Sequence, residues 1–328
     1  MVTLDTIRKP VADDLAAFDE MVSRHFADDD SPMAEMLRYA LSSRGKGIRP
    51  LVVLLSAAIN SPSGRAGKRA SLAAMLAEMI HVASLIHDDV IDEADMRRGR
   101  QSLNARWQSK NAVIAGDYIL ARTISIGMSS AQYDLVQHIF GTIATLCEGE
   151  VLQGAHARRR DTSRKDYLEI IYKKTAALIS VSASAGAMAS GASREKVDTM
   201  RRYGEALGMA FQIQDDILDY TAADSATGKP SHNDLREGKI TLPLIALLES
   251  ADAARREELL ALLDRCAEDE RAVEELSRAV VEGGGTESAA RTMHSYLNRA
   301  AALAADYEPS PLRDALVNLC AYVGQRDR

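Results

Sequence analysis

The sequence predicts an all-α protein, and three observations carry that reading. Alanine and leucine abound, while 8 prolines and 5% aromatic residues are few for a sheet protein. Apolar residues recur at helical spacing, as at Leu15, Phe18, Met21 and Val22. Helix-start signals such as Ser31-Pro32 and Ser310-Pro311, with serine as cap and proline in the first turn, stand before such stretches. No Pro/Gly/Ser-rich linker divides the 328 residues, so one domain over 1–328 is expected.

Taken in order, the pattern gives a helix over 10–27 and a second from Ser31-Pro32. Residues 42–47 break it with a basic, glycine-bearing loop, Gly45-Lys46-Gly47-Ile48-Arg49-Pro50, that leads into a helix over 48–59. Cations and backbone amides at a helix start suit an anion. Residues 61–67 are a turn, after which a long helix runs to about Asp92. Arg97 and Arg98 fall in the loop that follows. Helices are expected over 111–128 and 135–153, the latter with Glu148, Glu150 and Gln153 on one side, and Arg158-Arg159-Arg160 reads as a solvated loop. A helix from Ser163 carries Lys173, Lys174 and Thr175, another spans 193–221, and amphipathic helices occupy about 241–250, 253–266, 270–283, 286–306 and 311–326.

Net charge is −7, which argues against a nucleic-acid partner. Cys147, Cys266 and Cys320 lack metal-ligand spacing and read as reduced thiols of a cytoplasmic protein. Residues 1–14 carry charges and no apolar h-region, unlike a signal peptide. Thr175 to Ala192 has no charge but is mostly Ala, Ser and Gly, so it reads as a closely packed buried helix and no transmembrane segment is expected.

Chemistry concentrates in two aspartate triplets. Asp88, Asp89 and Asp92 follow the apolar run 75–86, and Asp215, Asp216 and Asp219 repeat the i, i+1, i+4 spacing. Residues i and i+4 share a helix face, where two carboxylates repel unless a cation lies between them. Hard oxygen donors suit Mg²⁺, which substrate phosphates usually complete. Arg97 and Arg98 follow the first triplet, and Lys229 and Lys239 the second.

With these basic neighbours, the stretch from Arg44 to Pro243 closely resembles the trans-isoprenyl diphosphate synthases, or polyprenyl synthetases, of the long-chain type. The resemblance implies the isoprenoid synthase fold, an antiparallel helical bundle around a central cavity with the two motifs facing each other at its mouth. It implies Mg²⁺-dependent head-to-tail condensation of isopentenyl diphosphate with an allylic diphosphate, three ions held by Asp88, Asp92 and Asp215, and Asp89, Asp216 and Asp219 completing the clusters. Lys46, Arg49, His81 and Arg98 fall to isopentenyl diphosphate. Arg97, Lys174 and Thr175 fall to the allylic diphosphate, Arg97, Lys174, Lys229 and Lys239 neutralise the leaving group, with Lys174 and Lys239 counted as catalytic, and Gln212 binds substrate. A homodimer, a product for a quinone side chain and transient membrane contact for product release are further expectations.

Product length is read at Ala83, five residues before Asp88, with Ser84 beside it. In short-chain members a bulky aromatic near this point closes the cavity. A methyl group does not, so the tail is expected to pass Ile80, Met79 and Leu76 towards an octaprenyl to decaprenyl product. The competing readings are a short-chain farnesyl or geranylgeranyl diphosphate synthase and a non-catalytic subunit of a heteromeric synthase; a terpene cyclase would need no Lys46, Arg49 and Arg98 set.

Overall fold

Alternation of apolar and polar residues at helical spacing, with few β-branched runs, yields a chain that is helical almost throughout. The computed structural model describes residues 2–26, 30–42, 45–221 and 232–325. Its helices are α1 (Leu4–Arg8), α2 (Ala12–Phe26), α3 (Pro32–Leu41), α4 (Ile48–Asn60), α5 (Gly67–Ile91), α6 (Leu103–Trp107), α7 (Ser109–Ser129), α8 (Tyr133–Phe140), α9 (Thr142–Arg159), α10 (Arg164–Ile171), α11 (Ala177–Ala189), α12 (Arg194–Thr221), α13 (Asn233–Arg236), α14 (Leu242–Ser250), α15 (Ala253–Arg265), α16 (Glu270–Glu282), α17 (Gly285–Ala305) and α18 (Pro311–Gly324). The Asp-rich motifs end α5 and α12, as their apolar runs required.

The backbone groups into two compact units. The first comprises 1–143, 178–204 and 301–319 and is organised on α5, which is covered by α4, α7 and α2. Nearly every side chain of α5 from Ala70 to Ala83 is buried. α5 has the length and apolarity of a membrane span, but 78% of its most apolar window is buried, which makes it the core helix of this unit. The small residues of α11 permit the close packing their size suggested: Ser56 Oγ on α4 donates to the Ala183 carbonyl at 2.6 Å. The second unit comprises 144–177, 205–300 and 320–328, with α15 against α16 and α14 against α10 and α16.

Five local readings are corrected. A short helix, α1, and a 3₁₀ turn, Lys9–Val11, precede α2; the Thr3 hydroxyl caps α1 and Pro10 fits the turn because it needs no N–H there. The helix read over 135–153 is two, α8 and α9, meeting at Gly141, a residue of low helix propensity. Arg158 and Arg159 belong to α9, and Arg160 is no solvated loop residue: it takes a positive φ of 57° and reaches Asp264 at 3.2 Å. The helix read from Ser163 is interrupted by a π-turn, Tyr172–Ala176. After α5, a two-strand hairpin, β1 (Met96–Arg97) and β2 (Arg100–Gln101), replaces plain loop.

Candidate active site

In the first unit, α5 delivers His81 and Asp89 to a pocket that Arg97 and Arg98 reach from the hairpin. Asp89 is 4% exposed, and its Oδ1 accepts from Arg97 Nε at 2.7 Å and from Nη2 as well. A buried carboxylate needs such a partner, so Arg97 is tied to the motif in a way the sequence did not disclose. Arg98 follows with a positive φ of 52°, and its guanidinium lies against Gly45: a Cβ there would stand 2.5 Å from Arg98 Cζ. Arg49 is the second residue of α4, whose start is set by left-handed Gly47, and Arg8 Nη2 holds the Lys46 carbonyl at 2.6 Å. Burial, then Arg49, Arg98 and Arg97, push the His81 pKa well down, so its imidazole is neutral at physiological pH. Arg98 is likewise lowered, by burial first and then Arg97. Cations crowded this closely repel one another, and an anion relieves the repulsion.

Asp88 is half-buried, and Asp92, the C-cap of α5, is exposed; the Asp92 N–H bonds the Asp88 carbonyl at 2.8 Å, placing the two carboxylates one turn apart. His87, which has no role in the sequence reading, lies on Gly116 of α7: a Cβ there would sit 2.2 Å from Nε2. Ser84 Oγ donates to the His81 carbonyl at 2.9 Å, and Ala83, Ile80, Met79 and Leu76 are all buried.

In the second unit, a pocket is lined by Lys174, Thr175, Gln212, Asp216, Asp234 and Lys239, among others. The π-turn sets the first two. It is pressed between glycines, since a Cβ on Gly149 of α9 would stand 2.8 Å from the Lys174 backbone nitrogen and one on Gly208 of α12 only 2.6 Å from Ala176 Cα. Such turns recur at functional sites because they re-aim side chains within a helix. Lys174 Nζ meets Glu150 at 2.6 Å and Gln153 Oε1 at 2.7 Å, while Lys173 meets Glu148 at 3.2 Å. The polar side of α9 thus holds the two lysines. Thr175 Oγ1 donates to Gln212 Oε1 at 2.7 Å, Gln212 Nε2 donates to Asp216 Oδ1 at 2.8 Å, and the Tyr167 hydroxyl donates to Asp216 Oδ2 at 2.6 Å.

Burial, then Asp234, drive the Asp216 pKa well up, against those hydrogen bonds. Asp219 accepts backbone N–H groups of Asn233 and Asp234, both at 3.1 Å, and so carries α13. Asp215 is half-buried. Lys239 pairs with Glu237, and Lys229 lies outside the described residues. Tyr167 and Asp234 escaped the sequence reading. The first looks like any core aromatic, and the second is an isolated acid; burial, then Asp219, raise Asp234 to about 7.

One pocket crowds arginines beside a buried carboxylate and the other sets two lysines among buried acids, settings that suit phosphate groups. The chain belongs to the polyprenyl synthetase family, whose model matches residues 30–280, and is a trans-polyprenyl diphosphate synthase with the all-α isoprenoid synthase fold. It is 34% identical to heptaprenyl diphosphate synthase component 2 of Geobacillus stearothermophilus over 97% of each chain. It is 32% identical to a short chain isoprenyl diphosphate synthase of Methanothermobacter thermautotrophicus, over 97% of this chain and 99% of that one. Among solved structures, a polyprenyl synthase from Caulobacter crescentus CB15, complexed with calcium and isoprenyl diphosphate, matches with a TM-score of 0.92 and 28% identity over 99% of this chain and 98% of that one. A decaprenyl diphosphate synthase from Rhodobacter capsulatus matches with a TM-score of 0.90 and 32% identity over 99% and 100%.

Proposed function

We propose that the chain, acting as one polyprenyl synthetase unit over 1–328, condenses isopentenyl diphosphate head-to-tail with an allylic diphosphate and extends the product to the octaprenyl–decaprenyl range, for a quinone side chain. The observation that carries the length is Ala83: on α5, five residues before Asp88, a methyl group stands where a short-chain enzyme needs a stopper. The decaprenyl and heptaprenyl names among the relatives favour the same length, and the short-chain relative marks the competing one.

The donor set fits magnesium. Asp88 and Asp92 offer carboxylate oxygens one turn apart, and Asp215 offers another. Magnesium takes carboxylate oxygens such as these and is usually completed by substrate phosphates. Asp88, Asp92 and Asp215 would hold the ions, three in number by the family's habit. Bound magnesium would neutralise charge on the leaving diphosphate.

The chain's own residues do the rest. Lys174, Lys239 and Lys229 add positive charge where the allylic C–O bond breaks. Lys46, Arg49 and Arg98 seat the isopentenyl diphosphate, and neutral His81 adds a hydrogen-bonding ring without further cationic repulsion. Its double bond attacks the allylic carbon, the new C–C bond forms, and the proton then lost passes to the departed diphosphate. Arg97, held by Asp89, is placed at the first motif rather than left to swing.

A cytoplasmic homodimer is part of the reading. Ile114, Tyr118, Ile124 and Met128 leave α7 with exposed apolar side chains, a face a second copy would cover. The apolar product implies transient membrane contact at release. The test is incubation of the purified chain with labelled isopentenyl diphosphate and an allylic starter, with magnesium or with chelator, then dephosphorylation and sizing. Eight to ten isoprene units are expected, and only with metal. A product of three or four units would overturn the length. No product from the chain alone, restored by a second subunit, would favour a heteromeric enzyme.

A further inference from the structure

Asp216 sits second in its motif, but its two oxygens turn away from solvent. It is 4% exposed, with Oδ1 on Gln212 and Oδ2 on Tyr167. Tyr167, on α10, is 3% exposed, and its ring lines the same pocket. Both neighbours donate to Asp216: Oδ1 accepts from the Gln212 amide at 2.8 Å and Oδ2 from the Tyr167 hydroxyl at 2.6 Å. Gln212 therefore shows Asp216 its NH₂ and keeps its carbonyl oxygen for Thr175. The hydroxyl of Thr175 must then donate inward, as it does at 2.7 Å.

We infer that Tyr167 is a positioning residue for this pocket: its hydroxyl fixes Asp216, Asp216 and Thr175 together fix the amide of Gln212, and the amide's second N–H is thereby left for the allylic diphosphate in the pocket that Gln212 lines. The inference rests on the proposed placement of Thr175, with Gln212 beside it, at the allylic diphosphate. Nothing in the chain of contacts reaches His81, Arg49 or Arg98, so a change at Tyr167 is felt by one substrate and not by the other.

The test is Tyr167→Phe, which keeps the ring and removes the donor, alongside Thr175→Val and the double variant. Melting curves establish that each variant is folded. Steady-state kinetics vary each substrate in turn, and calorimetry measures binding of an unreactive allylic thiolodiphosphate. Leaving a buried acceptor unpaired predicts an allylic KM and analogue Kd raised about tenfold in Tyr167→Phe, with the isopentenyl KM unchanged. Tyr167→Phe should add little on top of Thr175→Val, because both act through one relay. Full additivity, or a Tyr167→Phe variant with an unaltered allylic KM while Thr175→Val is impaired, would overturn the relay. An unimpaired Thr175→Val would instead overturn the placement of Thr175, and the relay with it. A Tyr167→Phe that raises both KM values equally would show a general packing role and reject the inference.

Discussion

Replacing Ala83 with phenylalanine should put a floor under the growing chain. Ala83 lies five residues before Asp88 on α5 and Leu76 lies twelve before it. At ~1.5 Å rise per residue these are ~7.5 Å and ~18 Å along the axis. Leu76 and Ala83 share a face, two turns apart, and Leu76 looks towards α7, where its Cδ2 would be 3.4 Å from a Cβ on Gly127. A ring at 83 closes at least the ~10.5 Å between them, about two turns, or two extended isoprene units. The product should therefore lose two units or more. Ala83 is 0% exposed, so the ring overpacks, at ~1–3 kcal/mol. In a chain of this size that is a melting-temperature loss on the order of 10 °C or less, which leaves a folded enzyme. The assay is product sizing after dephosphorylation, beside a melting curve. An active variant making the wild-type distribution would show that the tail does not pass this residue.

Three other outcomes are expected. Asp88→Ala and Asp215→Ala should each lower kcat by several orders of magnitude with the fold intact, and near-normal turnover in either would remove the carboxylates from the metal assignment. Arg49→Ala should raise the isopentenyl KM and Lys174→Ala the allylic KM, each by at least tenfold; equal effects on both constants would contradict the division. Asp234 is held protonated to about 7 by burial and by Asp219. Its folded pKa lies above its unfolded value of 3.8, so the folded state binds the extra proton and stability falls as pH rises from there to about 7. Without metal or substrate, Asp234→Asn should thus melt at about the wild-type temperature near pH 4 and a few degrees higher near pH 8. A gain independent of pH would refute this account.

The fold was legible because helical periodicity, caps and two apolar runs ending in acids all point one way. Ser31 and Ser163 cap their helices as such residues do. The candidate carboxylates were picked out by a spacing that occurs twice, each time at the end of an apolar run, and by the family resemblance. Long-range contacts could not be read this way. Nothing local shows that Arg97 turns back on Asp89 or that Arg98 lies on Gly45. Tyr167 has the pattern of a core aromatic, and only the fold brings it to Asp216, 49 residues on. Asp234 gains its character from burial beside Asp219, which a sequence does not display. Lys174 and Glu150 appeared as separate features because their helices are joined by the chain but matched by packing.

The π-turn at 172–176 also bears on how this enzyme tolerates change in its length. One residue more than a regular turn requires is stored there, with the Ala177 N–H reaching back to the Tyr172 carbonyl. Deleting a single residue from an ordinary helix rotates all that follows by about 100° and scrambles its packing. Here the same deletion has a slack residue to draw on, and the backbone closes into an ordinary α-helix with α10 and α11 still in phase with their neighbours. The lesion the scaffold absorbs most easily is thus the one that turns Lys174 and Thr175 out of the pocket. A screen of single-residue deletions scored for folding would pass this segment, and the same screen scored for turnover would mark it as intolerant.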